Sequence, residues 1–567
     1  MASLSSIRRL ADKLRDFSPC ELVAEGEGCG EIAAELSGMF RRLQDQVHIV
    51  VMTYAFAEDM LKNNVQWIED KFLTLTGTEG KRIDLVPIFL IGSASRQVVS
   101  YVHRELSRLH FLEGQPIVKA DPIIEKRGNT DLRKIFLRET DYRLLSPYRI
   151  DELVGSKMFF GREAELAELK NERANLVLIG SRRIGKSSLV ARLQESMGFI
   201  RLPAVGFKYP SRKIPRCVYL DVSTIAPASK SIWDAILKKF NIERRDLAGG
   251  GWRADLLGKR PRGDGLDSFD EAKAVQSLIN RFEGKLTIIL DEVDSWIHEE
   301  SDQLWPCLDK LRSFTDNGRA RVILVGYESL SIAARYHKFP LTSRGQLRLL
   351  GALDFEAVKR LTIEPLEELE IGIERRSEEQ ILNRIWKTTS GFPHLVQDIC
   401  ANIVKLTRED RTHNRRSAVT MALTESAISQ SGALKLFIDR IVDKDFPLAR
   451  AIAAICSTSE DTPLASKEAS GTRVFTISEI SRQLESSDAG FVYNDSDFDL
   501  ALTALELRSV LRPANSQRTR WLWVNEPARQ NMETNIKDTG YSRFIQDLVH
   551  QHQVGRWRES FKKLHWI

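Results

Sequence analysis

"VLIGSRRIGKSSLV", Val177 to Val190, decides how the rest of the chain is read. An apolar run enters a loop that fits G-x-x-x-x-G-K-[ST], with Gly180, Gly185, Lys186 and Ser187 in the fixed places. The strand is expected over Asn175–Ile179, and "SSLVARLQ" continues as a helix. A strand, tight loop and helix in this order make a cradle for a nucleotide triphosphate. The glycines let several backbone N–H groups point inward at phosphate oxygens. The helix that starts after Gly185 adds the positive end of its dipole. Lys186 is expected to reach the β- and γ-phosphates as a point charge, and Ser187 to offer its hydroxyl to Mg2+. Ser181, Arg182, Arg183 and Ile184 fill the loop, and Ser188 carries the binding set into the helix. The bland alternative is a chance match in a glycine turn, and the flanking strand and helix argue against it.

A second stretch agrees with the first. "LTIILDEVD" places five apolar or β-branched residues, Leu286–Leu290, ahead of Asp291 and Glu292. A buried strand ending in an acid at the carboxyl edge of a sheet is where a nucleotide's Mg2+ is met. Asp291 is expected to hold the metal and Glu292 to polarise the attacking water. The next strand, "ARVILVG", ends at Gly326, Tyr327 and Glu328. In many ATPases an Asn, Ser or Thr there senses the γ-phosphate, and none of the three is present. Arg344, in "PLTSRGQLRLLGALDF", could reach a neighbour's γ-phosphate as an arginine finger, which requires an assembly of several copies. A surface ion pair is the simpler reading of Arg344.

Composition sets the frame. The 567 residues are 42% hydrophobic and 28% charged, as in ordinary globular chains, and allow about three or four domains. A formal net charge of +5 permits nucleic-acid contact without demanding it. The six cysteines show no C-x-x-C pair or His/Cys cluster, so neither a zinc site nor a disulfide framework is supported. The N-terminus lacks a signal-peptide core, and no uncharged run is long enough to span a bilayer. A cytoplasmic protein is expected.

The N-terminal 1–150 carry strand candidates "VHIVVMTYAF", "IDLVPIFLIG" and "QPIVKA" with helical patterns between, a β-α-β-α-β order that suggests a small α/β domain with a parallel sheet. Tyr54, Glu58 and Asp59 after the first strand, and Ser93, Ser95 and Arg96 after the second, sit where such sheets bind small ligands; they are also ordinary turns. A P-loop core is expected over 155–350, with "RCVYLDVS" as its second strand. "LAGGGWRADLLGKRPRGDG" (Leu247–Gly265) reads as an exposed loop. A helical lid follows over 351–440, a helix-turn-helix module over 441–532, and a tail over 533–567.

The combination "MFFGREAEL…LVLIGSRRIGKSSLV…IILDEVD…LLGALDFEAVKRL…SGFPHLVQDIC" resembles the STAND-type ATPases, signal-transduction relatives of the AAA+ proteins, over about Met158–Leu406. The archaeal replication-initiator branch of AAA+ is similar. The resemblance implies ATP as the nucleotide and a winged helix after the lid. It puts Arg162 near the adenine or ribose, and Gly391, Pro393 and His394 at the start of a lid helix that faces the nucleotide. His394 would be a phosphate sensor, or equally a structural histidine at a helix start.

"FTISEISRQLE" and "DSDFDLALTALELRSVLRP" form the helix-turn-helix pattern, with "RWLWV" as a wing strand and "TRWLWVNEPAR" resembling two strands. The second helix opens with Asp495, Asp497 and Asp499, which phosphates would repel. Asp499 could serve as part of a helix cap. DNA binding would therefore need Arg518, Arg520 and Arg529 to dominate. The tail "GRWRESFKKLHWI" and the cluster "HNRR" (His413–Arg416) read most simply as a docked helix and a loop. Three functions stay open: an ATP switch that assembles as a homo-oligomer or with a protein partner and controls an N-terminal effector, a design that also serves bacterial antiphage defence; a DNA-associated AAA+ ATPase; and a scaffold in which ATP is structural.

Overall fold

A computed structural model of the chain describes residues 2–15, 20–25, 29–35, 46–53, 88–91, 117–119, 145–150, 156–202, 212–225, 228–240, 271–281, 284–297, 305–316, 318–335, 339–341, 345–411, 418–441, 446–458, 466–467, 473–486, 491–515 and 517–554, with isolated residues at 67, 70, 104, 133, 134 and 137. The chain divides into two units. One comprises Met1–Phe159, Lys359–Leu382 and Gln397–Ser431; the other comprises Phe160–Val358, Asn383–Val396 and Gly432–Ile567.

The first unit opens with helix α1 (Ala2–Arg15). Ile7, Leu10, Ala11 and Leu14 are buried on one stripe of it, the spacing of an amphipathic helix. Strands β1 (Cys20–Glu25), β2 (Cys29–Glu35), β3 (Gln46–Thr53), β4 (Ile88–Ile91) and β5 (Ile117–Lys119) form one sheet in that order. The pairs β3/β4 and β4/β5 are parallel, as the strand order predicts, whereas β1/β2 and β2/β3 are antiparallel. The β1–β2 hairpin was not legible because "CELVAE" and "CGEIAAE" are rich in Glu and Ala and weak in β-branched residues. The helices expected between β3, β4 and β5 fall largely outside the described residues. So do Tyr54, Glu58, Asp59, Ser93, Ser95 and Arg96.

The second unit is organised by a five-stranded, wholly parallel sheet. Helix α2 (Glu163–Asn171) leads into β6 (Asn175–Gly180), α3 (Lys186–Met197), and the pair β7 (Phe199–Leu202) and β8 (Arg212–Pro215). Then come β9 (Cys217–Asp221), α4 (Ala228–Lys239), α5 (Glu271–Arg281), β10 (Leu286–Asp291), α6 (Pro306–Asp316), β11 (Ala320–Gly326), α7 (Glu328–Arg335) and β12 (Gly345–Leu350). The sheet order is β12-β6-β11-β10-β9. Strands β6, β10 and β11 are buried along their whole length, which is why they read as unbroken apolar runs rather than alternating ones. Register aligns Asp291 with Asp221 at the carboxyl edge. At the opposite edge the buried Arg321 donates to the Leu169 carbonyl at 2.7 Å and to the Glu172 carbonyl, closing the last turn of α2.

Helices α8 (Phe355–Glu368), α9 (Glu378–Thr389) and α10 (Pro393–Arg411) follow, with the short parallel pair β13 (Gly372–Ile373) and β14 (Ala418–Val419), then α11 (Met421–Ser429) and α12 (Gly432–Ile441). The turn into α10 is tight. Gly391 has φ +73°, and a methyl added there would fall on the Leu353 carbonyl oxygen. The same backbone bonds Leu353 N–H to the Gly391 carbonyl at 2.8 Å. Gly391→Ala is therefore expected to cost about 2–4 kcal/mol through left-handed strain and a backbone clash. The check is a lower urea midpoint for the first unfolding transition of the full chain; an unchanged midpoint would contradict it.

The C-terminal part begins with α13 (Pro447–Thr458), a small-residue helix buried over most of its surface. Around it lie β15 (Ser466–Lys467), β16 (Arg473–Thr476), α14 (Ile477–Ser486), α15 (Asp495–Leu507), β17 (Leu511–Pro513), β18 (Arg520–Trp523), α16 (Glu526–Thr539) and α17 (Tyr541–Val554). The strands form an antiparallel sheet in the order β15-β16-β18-β17. "TRWLWVNEPAR" supplies one strand, not two. Asn525 accepts the Ala528 N–H at 3.0 Å and, with Pro527 in the first turn, starts α16. The cap of α15 is Asn494, which accepts the Asp497 N–H at 2.7 Å, so Asp499 is not the cap.

Candidate functional site

The carboxyl edge of the parallel sheet gathers the two motifs. Strand β6 delivers the loop at Gly180, and Gly185, at φ +98°, turns the chain into α3. A side chain at that φ would be strained. Ile184 is fully buried and pins the loop to the core, while Arg182 and Arg183 are exposed. Ser187 and Ser188 are half-buried in the first turn of α3.

Lys186 is buried, and its Nζ donates to the carbonyls of Gly180 at 2.9 Å and Ser181 at 3.0 Å. Burial lowers its pKa; the charges of Glu292, Asp291 and Asp294 work against that. Backbone carbonyls of the loop itself thus hold the ammonium group in place.

Asp291 is completely buried at the end of β10. Its Oδ2 accepts the Tyr219 hydroxyl at 2.9 Å from the neighbouring strand β9, and its Oδ1 accepts the Glu292 N–H at 2.9 Å. The phenol of Tyr219 is pushed well above its ordinary pKa by burial and by the Asp291 carboxylate, so it stays a donor. Glu292 has φ +54°, a costly conformation for a residue with a side chain, and one that recurs at functional sites. Its carboxyl is held above the ordinary range by partial loss of water and by the Asp291 charge, although the residue as a whole is exposed.

Three further residues complete the edge. Asp294 accepts the Tyr327 N–H at 2.7 Å and the Leu330 N–H at 3.3 Å, capping α7 and tying the acidic turn to the end of β11. Gly326 allows that approach, since a side chain there would meet Asp294 Oδ2. The Tyr327 ring lies 5.9 Å from Lys186 Nζ and 5.9 Å from the Arg182 guanidinium, within range of a cation–π attraction.

Arg162 is buried and salt-bridged to Glu165 at 3.0 Å; it also donates to the Gly351 carbonyl and reaches the Ile184 carbonyl at 3.5 Å. It braces the Gly180–Gly185 loop from behind, and burial lowers its pKa. Pro393 starts α10, and His394 Nε2 lies 2.7 Å from Arg183 Nη1. Since arginine can only donate, Nε2 is the acceptor and the imidazole is neutral. His394 is therefore joined to the loop through Arg183. Arg344 lies outside the described residues, as do Leu247–Gly265, His413–Arg416 and Gly555–Ile567.

The corner between α15 and β17 reaches the same site. The Ser181 hydroxyl donates to the Leu507 carbonyl and lies 3.5 Å from the Ser509 hydroxyl. Leu507 is buried within the core that covers the parallel sheet. Arg508 Nε donates to the Tyr327 hydroxyl at 3.2 Å, and its Nη2 lies 3.4 Å from Glu328. Nothing in the sequence pointed to Tyr219, Arg508 or Ser509. Asp294 had a signal, the second acid of "DEVD".

Among the described residues no group of three or more His, Cys, Asp or Glu is placed to hold a metal ion. Among them, too, no helix is long and apolar enough to cross a membrane.

No family model and no curated protein matches the chain. Solved structures do resemble it in part. The Walker-type ATPase PABY2304 of Pyrococcus abyssi is 13% identical, with 68% of this chain and 99% of that one covered at a TM-score of 0.39. The ORC2 protein of Aeropyrum pernix, solved as ADPNP–ADP complexes, is 13% identical over 69% of this chain and 95% of that one, also at 0.39. Cdc6p of Pyrobaculum aerophilum is 12% identical over 73% and 99%, at 0.28. The fold is mixed α/β, with the Gly180–Ser187 loop at the carboxyl edge of a central parallel sheet.

Proposed function

We propose that the chain is an ATP-binding and ATP-hydrolysing switch of the STAND-like kind. Its phosphate loop is gated by a C-terminal winged helix, formed by α13 to β18, and its output is an N-terminal effector. One observation carries this reading: the Leu507–Ser509 corner is docked on Ser181, inside the loop that would take the nucleotide. A loop whose lysine and serine are both satisfied by protein carbonyls holds polar groups that phosphates can claim.

The residues fit the expected ligands. Lys186 and the loop amides would take the β- and γ-phosphates. Mg2+ commonly uses one or two protein groups beside the phosphates, and Ser187 and Asp291 would be those groups. Bound there, the metal would neutralise charge on the phosphates. Glu292 would orient water and accept its proton. Arg183, already paired with His394, would carry the lid's contribution.

The DNA-associated alternative would have to draw on arginines that already have partners. Arg518 is salt-bridged to Glu506 at 2.7 Å, and Arg529 to Glu533 at 2.7 Å. Two of the three arginines it needs are thus paired with carboxylates, which favours the switch reading.

A switch of this kind changes assembly state with its nucleotide. Size-exclusion chromatography with Mg2+ and a non-hydrolysable ATP analogue is expected to give an earlier elution than with ADP, by at least a doubling of apparent mass. Identical elution, with both nucleotides shown to be bound, would sink the switch and leave a scaffold with structural ATP.

A further inference from the structure

The amino edge of the parallel sheet, opposite the Gly180–Ser187 loop, carries a row of cations. Arg319 immediately precedes β11, Lys285 precedes β10, Arg216 precedes β9, and Arg173 stands two residues ahead of β6. These four strands are neighbours, in the order β6-β11-β10-β9. At about 4.8 Å per strand, the row is about 14 Å long. The backbone fixes two of its members. The Arg319 carbonyl accepts the Leu286 N–H at 2.9 Å, and the Arg216 carbonyl accepts the Thr287 N–H at 3.0 Å, one on each side of the strand that Lys285 leads. The three arginines are exposed and Lys285 is half-buried. Arg319 Nη1 donates to the Asn280 carbonyl at 2.6 Å, and Lys285 Nζ to the Arg173 carbonyl. Among the described residues no carboxylate forms an ion pair with any of the four. Glu172, whose charge Lys285 feels, gives its carboxylate to the N–H groups of Arg173 at 2.8 Å and Ala174 at 2.9 Å. Burial holds Lys285 below its ordinary pKa, and the charges of Arg321 and Arg173 push the same way.

We propose that this edge binds a single-stranded nucleic acid, with the cation row on its phosphates and Phe199 stacked on a base. Phe199 is the first residue of β7 and is 66% exposed. The Arg216 N–H bonds to the Gly198 carbonyl at 2.9 Å, and Phe199 pairs with Pro215, so Phe199 is held beside the β9 end of the row. A positive track that ends in an open aromatic ring suits a single strand: the phosphates meet the charge, and any base can stack. A duplex keeps its bases stacked on one another and offers the ring nothing. An acidic peptide would meet the cations but leave the ring without a planar partner. Four like charges held together without carboxylates repel one another, and a polyanion relieves that repulsion while releasing its own counterions. The row lies on the edge opposite the nucleotide loop and uses none of the winged-helix arginines, so its failure would leave the nucleotide reading intact.

Fluorescence anisotropy of a labelled oligothymidylate, titrated with the full chain at several salt concentrations, tests this. With all four cations on phosphates, log K should fall against log salt with a slope of about −3, at about 0.7 per contact on a single strand. Arg173→Gln combined with Arg216→Gln removes the two ends of the row and should flatten the slope by about 1.4. Phe199→Ala should weaken binding by about five- to 150-fold and leave the slope unchanged, since stacking carries no charge. Arg518→Gln combined with Arg520→Gln should bind like the parent. Circular dichroism checks folding, and should the paired row variant misfold, the exposed Phe199 still decides. No binding at low salt would overturn the proposal. Row and Phe199 variants that bind like the parent would overturn it too, as would a loss confined to the Arg518 and Arg520 variant. A duplex or polyglutamate that competes as well as unlabelled oligothymidylate would overturn the single-strand assignment.

Discussion

Lys186→Ala is expected to weaken nucleotide binding by about 30- to 4,000-fold. Nζ is the one loop group that is both charged and deeply buried, and burial already lowers its pKa by disfavouring the ammonium form. A polyphosphate would restore the balance by placing anions against it. Removing one member of a buried, hydrogen-bonded charge pair costs about 2–5 kcal/mol, which converts to that range of affinity. The fold should survive the change, since the two carbonyls that Nζ now engages can turn to water. The measurement is equilibrium titration with a fluorescent ATP analogue, with circular dichroism as the check on folding. Parent-like affinity in a folded variant would remove the basis for every role assigned at this edge.

Glu292→Gln should separate binding from turnover. The change keeps size and shape and removes the charge together with the ability to accept a proton. General-base catalysis contributes about 10²–10⁴-fold, so phosphate release should fall by that factor. Nucleotide affinity should hold or rise, because one negative charge leaves the neighbourhood of the phosphates. Its left-handed backbone at φ +54° supports the role, for such a conformation persists only where the surroundings impose it. Asp291 fixes it on one side through the Glu292 N–H, and Asp294 on the other through α7. Phosphate release at the parent's rate would assign the base elsewhere. Undetectable release in both proteins would support the scaffold reading.

The two halves of the chain differ in how much could be read in advance. In the parallel-sheet core, β6, β10 and β11 follow from unbroken apolar runs, because a parallel strand covered on both faces has no polar side to show. The placement of Gly180, Gly185, Lys186 and Ser187 between a strand and a helix follows from their spacing. The β1–β2 hairpin did not follow, since its glutamate-rich strands are set by pairing rather than by local preference. The cap at Asn494 was misplaced onto Asp499, as several acids and amides compete for one position in a polar stretch.

The sequence by itself determined the local pattern: a glycine-framed loop between a strand and a helix, an acidic strand end and an amphipathic order of strands and helices. Each of these depends on residues within about ten positions of one another. Tertiary structure alone decided which distant groups join them. Tyr219 bonds Asp291 because β9 lies beside β10, and Arg508 meets Tyr327 because the α15–β17 corner packs against the loop at Ser181. No spacing rule encodes such contacts, for they arise only when buried apolar surfaces far apart in the chain find each other and carry their polar neighbours along.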